Sequence, residues 1–254
     1  MLKLMKYELR KARTAYGILL AAFIALQAYF MISLHADSEG NIIASALLLF
    51  VAAYVTAIVV FVMGITNFSN ELKQKSSYLI FMTPNSALKI MLAKMLFAIL
   101  SATVFGGGIA ALGLWDIGML AEHYGEYLPI YELFKEFLAQ TGADLNEIYL
   151  LIGFALADVF LSLMCALVVA YLAVALSATV LQQKKARGII TAVIYFAILT
   201  GLEKLSGLYI DPDAVLSSIT DLTYALIPMC IQNTVVVIAC LFGSAWLLEK
   251  KVSL

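Results

Sequence analysis

The sequence predicts an all-α, polytopic membrane protein: a helix bundle of about six transmembrane helices, both termini in the cytoplasm, preceded by an interfacial helix. Three observations predict this. The chain is 63% hydrophobic and only 13% charged, with a mean hydropathy of +0.98, whereas soluble domains keep about a quarter of their residues charged. Its apolar residues come in long uninterrupted blocks of the length that crosses a hydrocarbon core of roughly 30 Å. Its cations gather in alternate connections between those blocks. In hydrocarbon the backbone must satisfy its own hydrogen bonds, which leaves helices or a closed barrel. The alternation of a barrel strand is absent from the sequence, so helices remain.

Taken in order, the first span is expected at 16–34. Ahead of it, in residues 1–15, Leu2, Met5, Leu9 and Ala12 recur at helical spacing and continue to Tyr16. Lys3, Lys6, Arg10 and Arg13 form an adjacent basic stripe. That pattern predicts a helix lying in the interface, its long cations reaching toward anionic headgroups. The apolar run exceeds the roughly 7–15 residues of a signal-peptide core, and no small-x-small site ends it, so it reads as a retained span. The second and third spans are expected at 42–66 and 95–114. The fourth block, 148–179, would run roughly 48 Å at 1.5 Å per residue, so it must tilt, kink or project. The fifth, 189–208, is interrupted by Glu203 and Lys204, which suggests a short span followed by a segment that dips back, over 203–222. The sixth is expected at 224–248.

Orientation follows from Lys and Arg in the short connections. The amino-terminal segment carries Lys3, Lys6, Arg10, Lys11 and Arg13; the second connection Lys73, Lys75, Lys89 and Lys94; the fourth Lys184, Lys185 and Arg187; the carboxyl end Lys250 and Lys251. Of the 16 cations only Lys135 and Lys204 fall on the opposite side. Six spans with both ends inside give this partition. The acidic stretch 115–147 is then external, and Pro129 can open a short helix there.

The sequence offers little chemistry. Gly106, Gly107 and Gly108 lie within a span and lack the following Lys-Ser/Thr of a phosphate loop, so no nucleotide site is expected. Cys165, Cys230 and Cys240 sit in apolar runs without a CxxC pattern, and His35 and His123 fall in outer connections, so neither a metal nor another cofactor is expected. No paired nucleophile and base lies at membrane depth, so the chain does not read as an enzyme. Nothing points to nucleic acid. Asp158 is the one carboxylate well inside an expected span. An ionised Asp at mid-helix costs roughly 2.5–3.5 kcal/mol on insertion scales, so it either faces a cavity or partner on a transport pathway, or sits hydrated near the outer interface.

The second connection, 67–94, is the most informative stretch: NFSNELKQKSSYLIFMTPNSALKIMLAK. Asn70 or Ser69 is placed to cap a short helix with Glu71 in its first turn, favoured by the helix dipole. Tyr78, Leu79, Ile80, Phe81 and Met82 give that helix an apolar patch, and Pro84 ends it. An apolar patch on the cytoplasmic side suits docking of a partner or contact with lipid.

With its order of Glu71, a short helix, Thr83-Pro84, Ser86 and Lys94, this segment resembles the type-2 ABC transporter permeases, a family of six-span membrane subunits. The stretch 182–187 and the ending Trp246-Leu-Leu-Glu-Lys-Lys also look like that family's. The resemblance covers the whole chain in layout and about 30 residues in motif. It implies one transmembrane permease domain over 1–254, in an ATP-driven exporter of a bacterial-type plasma membrane. It further implies a separate cytosolic ATPase as partner, a second permease chain, identical or related, and ATPase coupling through Glu71, Tyr78, Phe81, Thr83, Pro84 and Lys94. The main alternative is a secondary transporter driven by an ion gradient, which needs polar residues or broken helices near mid-membrane in matching positions of two halves. The two halves each hold three spans, yet Gly106–Gly108 have no counterpart in the sixth. A purely structural membrane scaffold is a further alternative.

Overall fold

A computed structural model of the chain describes residues 2–73, 86–124, 145–180, 187–208 and 219–250. Among these every regular element is an α-helix: α1 (Leu2–His35), α2 (Glu39–Lys73), α3 (Ala87–His123), α4 (Leu145–Val180), α5 (Arg187–Ser206) and α6 (Ile219–Lys250). All six are long and apolar enough to cross a membrane, and each contains one of the six expected spans or nearly all of it. The protein is a multi-pass membrane protein. Its first four helices run 34 to 37 residues, roughly 51–56 Å each, so they tilt or project beyond a core of about 30 Å.

Several boundaries correct the sequence reading. No break separates residues 2–15 from the first span; they are the amino-terminal end of α1. The segment is rich in good helix formers and holds no proline, so extending the helix costs less than ending it and starting another. Its stripe also meets protein: Ala12 and Tyr16 are buried, and Met5 packs against them. Likewise, residues 67–73 continue α2. Asn70 and Ser69 therefore cap nothing, and Glu71 stands in the last turn of α2, where no proline or glycine after Gly64 interrupts the helix. At the next helix, α3 begins about two turns before Lys94. Trp115 through His123 extend α3 instead of opening a loop, while Pro129 and the rest of the external segment lie outside the described residues. Glu203 and Lys204 close α5 as its last turn; further along the expected re-entrant segment, 203–222, residues 219–222 open α6, while 209–218 lie outside the described residues.

The chain divides into two compact units, 1–64 with 96–129 and 65–95 with 130–254. In the first, α1 and α2 form a hairpin through a three-residue turn. Asp37 supplies the turn's positive φ of 49°, a conformation that Asp tolerates better than most residues. Its carboxylate lies 3.0 Å from His123 Nε2 at the end of α3. Two apolar clusters hold this unit. Ala12, Tyr16, Val60 and Phe97 form one, with the Tyr16 ring 5.0 Å from that of Phe105. Phe30, Leu34, Ile42 and Leu49 form the other.

The second unit is built around α4. From Cys165 to Ser177 nearly every residue of α4 is buried, whichever way its side chain points, as befits a helix surrounded by others. α4 and α6 run parallel: Glu147 accepts from Thr220 at their starts, Asp158 from Asn233 further along, and Leu172 lies against Gly243 beyond. Small residues such as Ala166, Ala170, Ala173, Cys240, Gly243 and Ser244 permit the close approach. α5 runs antiparallel to α4, starting where α4 ends, with Thr191 donating to Ser177 at 2.7 Å. This alternation is what three successive crossings require.

Candidate functional site

Two polar arrangements stand out in the second unit. The first joins the end of α2 to α3. Lys94 Nζ lies 2.7 Å from Glu71 Oε2, with side-chain exposures of 6% and 11%. One turn before Glu71, Phe68 is buried with its ring 4.6 Å from that of Tyr171, which is fully enclosed on α4. Desolvating two charges is costly, and only a close, well-shielded contact offsets it. The pair thus clamps together the two residues that bracket the connection between α2 and α3. The sequence reading put both in this connection, and the structure brings them together as a buried pair. Tyr78, Phe81, Thr83 and Pro84, the other residues assigned to coupling, lie outside the described residues.

The second arrangement is a cavity of about 270 Å³ among α4, α5 and α6. Asp158 lines it from α4. Asn233 on α6 uses one amide to reach two acceptors, Asp158 Oδ1 at 3.2 Å and Ser162 Oγ at 2.9 Å. The Cys230 thiol adds a weak contact to the same carboxylate oxygen at 3.9 Å. Gln232, which also lines the cavity, donates to the carbonyl of Leu202 at 3.1 Å, while its Oε1 is buried without a hydrogen-bond donor. Glu203 and Ser206 border the cavity from the last turn of α5. Leu199, Leu202, Met229 and Ala166 supply the apolar wall.

Asp158 was the only member singled out from the sequence. Asn233, Gln232, Ser162 and Glu203 were missed. A signal existed: Asp158 and Ser162 are four apart and share one face of α4, and Gln232-Asn233 interrupts an apolar run at a similar depth in α6. What the sequence could not show is that α4 and α6 pair in parallel, with the register that aligns these positions.

The first unit holds a counterpart that is more apolar. Gln27 Nε2 donates to Asp116 Oδ1, beside a cavity of about 290 Å³ lined by Phe23, Phe30, Leu49 and Ile109 among others. Among the described residues no group of His, Cys, Asp and Glu is arranged to hold a metal ion. Cys165 and Cys240 are buried free thiols. Comparison with protein-family models, curated proteins and solved structures finds no match for this chain.

Proposed function

We propose that the chain is the membrane-spanning permease subunit of an ATP-driven ABC exporter, coupled to a separate cytosolic ATPase and paired with a second permease chain in a bacterial-type plasma membrane. The observation that carries this reading is the connection 67–94. Its residue order resembles the family's coupling segment, it lies on the cation-rich side, and the buried Glu71–Lys94 pair fastens its two ends. A connection held in this way can pass a push from a partner to α2 and α3 as a rigid-body shift, with no chemistry in the membrane. Glu71 and Lys94 then act by positioning the segment, and Tyr78 and Phe81 by contacting the ATPase.

One observation favours a second reading, an ion-gradient-driven secondary transporter: Asp158 lines a cavity among helices long and apolar enough to cross a membrane, the placement expected of an ion-coupling carboxylate. The two readings separate in one experiment. The chain is expressed with its candidate ATPase, and transport into inverted vesicles is followed with ATP, with a non-hydrolysable analogue, and with an ionophore. The permease reading expects dependence on hydrolysis and co-purification of the ATPase. Transport that ignores ATP and collapses with the ionophore selects the alternative.

A further inference from the structure

The cavity among α4, α5 and α6 is charged in one sense only. Among the described residues Asp158 and Glu203 border it, and no Lys, Arg or His does. Asp158 Oδ1 accepts from Asn233 and Cys230, which leaves Oδ2 without a protein partner among the described residues. Gln232 Oε1 is buried with no donor. A buried acceptor left unmatched is costly, and a carboxylate in a membrane-spanning helix more so. Asp158 Oδ2 is therefore an acceptor open to a donor in this cavity, beside an apolar wall of Leu199, Leu202 and Met229.

We infer that this cavity binds an amphiphilic protonated amine, its ammonium group at Asp158 and its apolar body against Leu199, Leu202 and Met229. An ammonium N–H donates to Asp158 Oδ2, which a quaternary cation cannot do. Glu203, exposed on the last turn of α5, adds negative potential at the edge of the cavity. Asn233 holds the Asp158 carboxylate in place by bonding it and Ser162 together. The volume of about 270 Å³ suits a compact amine rather than a long peptide. The inference names the substrate class of the pathway proposed above and to that extent rests on that reading. Binding, however, belongs to this chain alone.

The test uses the full chain, purified into lipid nanodiscs without any ATPase, and 1-adamantylamine at a pH where it is protonated. Calorimetric titration is expected to show saturable binding. The neutral isostere 1-adamantanol should bind at least tenfold more weakly, and the quaternary N,N,N-trimethyl derivative should fall between them. Asp158→Asn should lose roughly tenfold to a hundredfold in affinity. Asp158→Glu should retain much of it, and Glu203→Gln should weaken it a few-fold with an unchanged melting temperature. Equal binding of amine and alcohol, or no saturable amine binding to the wild-type chain, overturns the inference without reference to any variant's folding. Neither result touches the ATP-dependence experiment, so the two readings fail separately.

Discussion

Lys94 and Glu71 stand 23 positions apart in the sequence and 2.7 Å apart in space, both nearly enclosed. The contact changes what Glu71 means. A carboxylate expected in the first turn of a short separate helix stands in the last turn of α2, paired with Lys94. Removing either partner takes this close contact from a nearly enclosed charge, which costs stability. Glu71→Ala and Lys94→Ala should each lower the unfolding midpoint in detergent strongly, and Glu71→Gln with Lys94→Met together should recover much of the loss. Additive effects in that double-mutant cycle would show that the two side chains do not act as a pair.

On the proposed permease reading, ATPase docking is assigned to residues 78–84. Tyr78→Ser with Phe81→Ser should reduce ATPase co-purification while leaving the unfolding midpoint nearly unchanged. On the same reading Pro84→Ala should spare association and uncouple hydrolysis from transport, since Ala gives the backbone more freedom than Pro at that position. Normal association in the double Ser variant removes the docking assignment.

Asn233→Ala deletes the two amide hydrogen bonds from α6 to Asp158 and Ser162 and leaves only the weak Cys230 contact to Asp158. Polar contacts between membrane helices contribute about 0.6–2 kcal/mol, so the loss in stability should fall in that range, and amine affinity should drop along with it. Unchanged affinity would mean that Asn233 does not orient the carboxylate.

Packing around α4 gives a sharper contrast. Tyr171 is fully enclosed and its ring meets Phe68; Tyr171→Ala should destabilise by about 3–5 kcal/mol. Phe242 on α6 is largely exposed, as a lipid-facing residue is, and Phe242→Ala should be close to neutral. The two unfolding curves, measured in the same detergent, decide whether α4 is the core of its unit.

Topology is tested by an impermeant thiol reagent on intact cells. Because Cys165 and Cys240 are buried, background labelling should come mainly from Cys230. A cysteine at Gln183 should stay unlabelled from outside and one at Tyr127 should label. The reverse pattern would invert the orientation read from the cations.

The sequence by itself marked six apolar blocks, and among the described residues each falls in a helix long and apolar enough to cross a membrane. Partition into hydrocarbon is settled locally, by about twenty apolar residues in a row, and Ile42 to Thr66 or Tyr224 to Leu248 carry that information without help from the rest of the chain. It also marked Asp158, because a carboxylate in such a run is anomalous on its own. Only the tertiary structure decided that Asp158 meets Asn233, that Glu71 meets Lys94, and that α1 and α2 run on through the segments expected to be separate helices. The physical reason is that a helix apolar on every face has no polar side to show which way it turns. Lipid and neighbouring helices attract it almost equally, so rotation and register are set by close packing of small residues and by polar pairs across helices, which form only once the helices have assembled.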